Sequence, residues 1–294
     1  MDLSHNIHDA VTDGLHSIAA GIPTGFPDLD TLTGGLQPGH LTVIAGRPSH
    51  GCSTLALTLT RAAVAAKRET YFAALQSSVD DTARRFAAAE SQVAMHWITA
   101  GVSAPAEAAR MEATRKRIQA EPLPLILDSP LTFADIERYL DAYDDGAPEL
   151  LVIDGVDLLD AGSDPRLIHE RTAAASHLLK AWAINRQMHV IVTTHLAPRT
   201  PKNYYDPPTL ADFGARHTYA HDADLVILVH RPDTDKRDTP RLGEVDLILA
   251  KHRSGPTAVL TAAFQGHFGR IVPMVDPEPV SPTAADAQTP RAGE

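Results

Sequence analysis

The sequence predicts an α/β fold: a mostly parallel sheet with helices on both faces and a β-hairpin at its C-terminal end. Three observations carry this. Apolar, β-rich runs recur at 41–45, 70–75, 123–127, 150–153, 189–194 and 225–230, and helix-period stretches such as 53–67, 104–119 and 164–187 separate several of them. Strands that alternate with helices pair in parallel, because each crossover must return the chain to the same end of the sheet. The run Leu150-Leu151-Val152-Ile153 is apolar without alternation, as befits a strand covered on both sides. Finally, two further runs, 245–251 and 258–264, are parted by Ser254-Gly255-Pro256, a turn signal that folds them into an antiparallel pair.

Along the chain, residues 1–20 place Ile7, Val11, Leu15, Ile18 and Ala19 at helical spacing, and Gly21 and Pro23 forbid continuation, so a helical arm is expected there. Residues 21–274 hold all the strand signals and the remaining helix signals and are read as one domain. From about Pro277 the composition is Pro, Ser, Thr, Ala and Asp with almost no large apolar side chain, so 275–294 are expected to be a disordered tail.

Of the 294 residues, 44% are hydrophobic, enough to build a full core. The net charge of −11 argues against a chain that coats nucleic acid with its whole surface, yet allows a short basic loop. One cysteine excludes an internal disulfide, and neither a signal-peptide pattern nor a span of about 18 apolar residues is visible. A cytoplasmic protein without membrane contact is expected.

The first strand runs directly into Gly46-Arg47-Pro48-Ser49-His50-Gly51-Cys52-Ser53-Thr54, and the helix-period stretch follows. This glycine spacing between strand and helix is that of a phosphate-binding P-loop, in which backbone N–H groups surround the phosphates and a lysine neutralises the β and γ oxygens. Here Cys52 stands at the lysine position, while Ser53 keeps the hydroxyl that serves Mg²⁺. Asp154, at the end of the buried run 150–153, is placed to face the Mg²⁺ water shell. A thiol at the helix start is also a candidate redox-sensitive group, since a helix N-terminus lowers thiol pKa.

Together with further motifs, these residues resemble the C-terminal motor domain of bacterial replicative DNA helicases of the DnaB family, a RecA-like P-loop NTPase fold. The resemblance runs from about Gly21 to Val272. It rests on Gly25-Phe26-Pro27-Asp28-Leu29-Asp30, Gly34-Gly35-Leu36-Gln37-Pro38-Gly39, Gly46-Arg47-Pro48-Ser49, Leu178-Leu179-Lys180-Ala181, Asp222-Ala223-Asp224 and, most specifically, Lys251-His252-Arg253-Ser254-Gly255-Pro256. The resemblance implies a ring of subunits around single-stranded DNA, with ATP and Mg²⁺ at each subunit interface. The ring would be made of copies of this chain or shared with a full-length replicative helicase. It also implies that the P-loop lysine, the hydroxyl, the aspartate and a water-polarising glutamate come from one chain; these positions read Cys52, Ser53, Asp154 and Gln76. His195 falls where the family has a γ-phosphate-sensing glutamine. Lys251 and Arg253 match the basic finger that a neighbour contributes.

Glutamine can bond a water but cannot take its proton, and a thiol brings no charge to the γ phosphate, so an impaired ATPase is expected. Asp80, Asp81, Arg47 and His50 are the nearby groups that could replace the missing base and cation. Lys251 and Arg253, two apart, share one face of a strand. For DNA, the resemblance implies the loops near 160–171 and 196–218, with Arg166, Arg171, Arg199, Lys202 and Arg216, and with Tyr204 and Tyr205 for base stacking. His217 and His221, like His5 and His8, fall at helical spacing without completing a metal set. Trp97 and Trp182 are expected in the core. Two other readings stay open: an active ATP-dependent helicase with a variant P-loop, and an interaction protein of the replisome that has lost nucleotide binding.

Overall fold

The computed structural model describes residues 21–274, apart from 102–103, 121–122, 128–131, 143–147, 160–166, 199–205 and 236–237. The expected arm at 1–20 and tail at 275–294 therefore lie outside the described residues. In chain order the elements are α1 (Pro27–Thr33), β1 (Leu41–Gly46), α2 (Cys52–Ala65), β2 (Thr70–Ala74), α3 (Val79–Ser91), α4 (Met95–Ala100), α5 (Pro105–Ala120), β3 (Leu125–Leu127) and α6 (Phe133–Asp141). They continue with β4 (Leu150–Asp154), α7 (Ile168–Arg186), β5 (His189–His195), α8 (His217–Asp222), β6 (Leu225–His230), α9 (Pro232–Asp235), β7 (Glu244–His252), β8 (Ala258–Gln265) and β9 (Arg270–Pro273).

The strands form one sheet in the order β3-β2-β4-β5-β1-β6-β7-β8-β9. The first six in that order pair in parallel, and β7, β8 and β9 add antiparallel strands beyond β6. The hairpin expected at Ser254-Gly255-Pro256 is thus β7–β8, and β9 forms one edge of the sheet.

Each central strand feeds two cores, as the period of two requires. Leu41, Val43 and Ala45 of β1 pack with Leu179 and Trp182 of α7 and Ile136 and Leu140 of α6. Ile44 faces the other way, onto Leu55 and Leu59 of α2 and Phe86 of α3. On β2 the same division places Tyr71 and Ala73 on one side and Phe72 and Ala74 on the other.

Local chemistry sets several element ends. Ser78 caps α3 by accepting from Asp81 N–H, and Thr132 and Asp135 form a reciprocal capping box on α6. Gln187, in the left-handed region at φ 51°, ends α7 one residue before the expected 187. Trp182 is buried as expected, but Trp97 is 39% exposed: α4 is a single six-residue helix with no buried side chain, too short to carry a face into the core. Among the described residues no helix is long and apolar enough to cross a membrane.

Candidate nucleotide site

The parallel strands end together at one edge, and the segments that leave β1 and β2, with the end of β5, line a cleft there, where open α/β sheets place their ligands. Its walls include Arg47, Ser49, Gly51, Cys52, Ser53, Gln76, Arg85, Thr193, His195 and Phe264. The sequence motif thus comes together with Gln76 and His195 in one place.

The loop itself is built by backbone geometry. Gly51 sits at φ 107°, a conformation closed to most side chains, and a Cβ there would lie 2.8 Å from the ring of Phe264. Ser49, without that freedom, is also held at φ 67°. From Gly51 the chain enters α2, whose first turn carries no acidic residue and no side-chain cap. Its N-terminal N–H groups and positive dipole end therefore face the cleft, which suits an anion.

Cys52 does not reach into this cradle as a lysine would. Its Sγ turns back toward Gly46, 2.7 Å from where a Cβ on that glycine would stand, and the residue packs against the core on the α2 side. Burial, with the Asp154 carboxylate beside it, pushes the thiol up to about 12. This corrects the redox expectation: the helix start would favour a thiolate, but enclosure beside a carboxylate outweighs it.

Asp154 ends β4 almost fully buried. Its Oδ1 accepts from Thr193 Oγ at 2.7 Å, and the Ser53 hydroxyl also bonds the carboxylate. Burial pushes the carboxyl up, and the Thr193 and Ser53 bonds and the charges of Arg85 and His195 oppose this. Thr193 Oγ in turn accepts from Gly155 N–H at 2.7 Å, which fixes the turn after β4. Gln76 lies along that turn: a Cβ on Gly155 would meet its Cγ at 2.5 Å. A hydroxyl and a carboxylate in contact, both oxygen donors, match the needs of Mg²⁺.

Of the expected substitutes for the lost groups, His50, Arg47 and Asp81 have partners of their own. His50 is buried, and its Nδ1 accepts from Arg231 N–H at 3.1 Å. Arg47 lines the cleft but donates to the carbonyl of Asp206 at 3.2 Å. Asp80 and Asp81 lie in the first turn of α3, where Asp81 bonds Ser78 and pairs with Arg84. His195, at the end of β5, is 44% exposed in its side chain, with Nδ1 3.9 Å from Asp157 Oδ2. Asp157 also accepts from Thr194 Oγ at 2.8 Å and from Arg216 Nε at 2.8 Å. Arg216 is therefore an inward brace of the site more than a free cation for DNA. Arg171 stands half-buried in the first turn of α7, and Arg166, Arg199, Lys202, Tyr204 and Tyr205 lie outside the described residues. Arg85, Thr193, Asp157 and Phe264 are site residues that the sequence did not disclose.

Lys251 and Arg253 stand at the opposite end of the sheet. Lys251 Nζ donates to the carbonyls of Ala220 at 2.9 Å and His221 at 2.6 Å. Arg253 Nε is 3.3 Å from Asp224 Oδ1. Asp224 bonds the N–H of Leu41, where β1 starts, whereas the P-loop leaves β1 at its other end. The six residues between span roughly 20 Å, so these two cations cannot serve their own chain's cleft.

A parallel sheet with a phosphate loop after its central strand, a buried aspartate two strands away and an antiparallel C-terminal extension defines a RecA-like P-loop fold. The chain belongs to the DnaB-like helicase C terminal domain family, whose profile matches residues 21–272. It is 37% identical over 259 residues to the replicative DNA helicase DnaB of Leifsonia xyli subsp. xyli, covering 86% of this chain and 56% of that protein. With the replicative DNA helicase DnaB of Mycobacterium leprae it shares 32% over 238 residues, 79% of this chain and 39% of that one. The chain thus spans about half the length, or less, of these curated relatives. Among solved structures, a DnaB-like replicative helicase, described with its interactions with primase, superposes at a TM-score of 0.82 with 22% identity, covering 93% of this chain and 68% of that one. The RadB recombinase gives 0.54 with 17% identity, covering 86% of this chain and 100% of that one. At those identities both likenesses bear on the fold alone.

Proposed function

We propose that this chain is a DnaB-type subunit of a ring on single-stranded DNA that binds ATP with Mg²⁺ but hydrolyses it poorly in its own site. The observation that carries the reading is the pairing of a neutral, back-turned Cys52 with Gln76 beside Asp154, in a loop that otherwise keeps its phosphate geometry. Backbone N–H groups of residues 46–54 would hold the phosphates, and Ser53 and Asp154 would hold the metal, which supplies charge neutralisation when bound. Gln76 can orient a water without taking its proton. Loss of one preorganised electrostatic partner costs roughly 10²–10³ in rate, and this site lacks two.

The far placement of Lys251 and Arg253 supports the other half of the reading: they would complete the ATP site of a neighbouring subunit, a copy of this chain or a full-length replicative helicase. Arginine suits that task because its planar fork meets phosphate oxygens in pairs and stays charged. DNA would track the loops near 160–171 and 196–218, with Arg171 and the cations outside the described residues.

The test is a thermal shift of the protein with Mg²⁺ and ATP, then hydrolysis with and without single-stranded DNA. Binding must raise the melting temperature, and wild-type turnover should be at background. Cys52→Lys with Gln76→Glu should restore DNA-stimulated hydrolysis; a folded, ATP-binding double variant without turnover would show that these positions are not what silences the site.

A further inference from the structure

We propose that Arg85 is the cation that holds the terminal phosphate of ATP in this cleft, in place of the lysine the loop lacks, so that the site prefers ATP over ADP. The inference rests on the nucleotide-binding reading above and adds the residue on which binding depends.

Arg85 projects from α3, an element that belongs to neither the P-loop nor the strand ends, and lines the same cleft as Ser53, Gln76, Thr193 and His195. Those neighbours surround the metal side of the cleft, beyond the backbone cradle, which is where the last phosphate of a triphosphate would stand. The charge of Arg85 acts on Asp154, which places it on that side as well.

Its donors are also unspent. Among the described residues Arg85 forms no ion pair and no side-chain hydrogen bond, in contrast to the cations around it. Arg84 pairs with Asp81, Arg61 with Glu90, and Arg231 with Asp233 while stacking on Phe264 at 3.8 Å. Arg270 donates to Gln265, and Arg47 to the Asp206 carbonyl. A guanidinium with free donors beside a phosphate cradle that has no cation of its own has the chemistry to bind a phosphoryl group through two parallel bonds. ADP leaves that position empty, so Arg85 discriminates between the two nucleotides.

The experiment measures binding of Mg-ATP and Mg-ADP by calorimetry to wild type, Arg85→Ala, Arg85→Lys, the Arg84→Ala control and Arg85→Ala combined with Cys52→Lys. The expected result is an ATP affinity about 10- to 100-fold weaker in Arg85→Ala, an ADP affinity changed less than about threefold, and ATP binding regained with Cys52→Lys. Arg85→Lys should keep part of the preference, and Arg84→Ala all of it. Equal ATP binding by wild type and folded Arg85→Ala would overturn the role of Arg85 while leaving the nucleotide site intact. Wild type that binds neither nucleotide would overturn both that role and the nucleotide reading.

Discussion

Lys180 and Asp224 form a part-buried ion pair, Nζ to Oδ2 at 2.6 Å, that ties α7 to the start of β6. The same carboxylate accepts from Leu41 N–H at 2.8 Å and faces Arg253, and Lys180 Nζ also reaches the carbonyl of Gly39. Burial alone would raise the Asp224 carboxyl, but the Lys180 and Leu41 bonds bring it below its ordinary range. Asp224 thus joins the start of the central strand to the base of the basic finger. Removing one partner of such a pair leaves the other charge enclosed without compensation. Asp224→Ala is expected to cost about 3–5 kcal/mol in urea unfolding. A loss under about 1 kcal/mol would mean that the pair does not hold these elements together.

Acid should destabilise the protein through His189. Its ring is fully buried, with Nδ1 2.7 Å from the Gln37 carbonyl and Nε2 2.9 Å from Thr42 Oγ. The carbonyl requires a proton on Nδ1, so Nε2 accepts from the threonine, and the neutral ring is fully satisfied. Burial, outweighing the Gln37 bond, lowers the ring from 6.5 to about 4. Because the folded value is depressed, the unfolded chain takes up a proton first as pH falls. This ring therefore leaves stability unchanged above about pH 6.5 and lowers it by about 1.4 kcal/mol per pH unit from there down to about 4. Urea titrations at pH 6.5 and 5.0 should differ in unfolding free energy, and His189→Gln should reduce the difference without abolishing it, since burial lowers His40 as well. An unchanged slope in the variant would remove His189 as a cause.

The thiol of Cys52 should be inert in the folded protein. With its value near 12, only about 10⁻⁴ of the group is thiolate at pH 8. Iodoacetamide at pH 8 should label native protein far more slowly than protein unfolded in urea. Rapid labelling of the native chain would show that the thiol is open to the cleft and would revive a redox role.

The strands were legible because both faces are covered: 41–45, 150–153 and 225–230 are apolar apart from Thr42 and His230 and emerge as β1, β4 and β6 within a residue at each end. At the sheet edges that signal fades. The run 123–127 contracts to Leu125–Leu127, with Leu123 and Leu125 exposed, and β9 gives no periodic pattern because it is four residues that begin with Arg270 and end with Pro273. In the site, residues local to the glycine motif could be read directly. Arg85 could not, since Arg84 and Arg85 look alike in sequence and only the seating of α3 turns one to Asp81 and the other to the cleft. Arg216 shows the converse: its loop position suggests DNA, while folding gives it Asp157 as a partner 59 residues away.

The opposed placement of cleft and finger makes a final expectation testable by mixing. Cys52→Lys with Gln76→Glu rebuilds the groups of one chain's own site, but Lys251 and Arg253 sit at the other end of β1 and, on the proposed reading, would come from a neighbour. Adding Arg253→Ala to that double variant should lower hydrolysis by roughly 10³-fold or more, the usual worth of such an arginine. The resulting triple variant still has a rebuilt cleft and lacks only the finger. Wild-type chain has the finger and lacks only the cleft groups. Mixed in equal amounts, the two should recover DNA-stimulated hydrolysis that neither gives alone, through sites built from both chains. If the mixture forms a shared oligomer and stays at background, Arg253 does not act across a subunit boundary, and its contact with Asp224 is structural only.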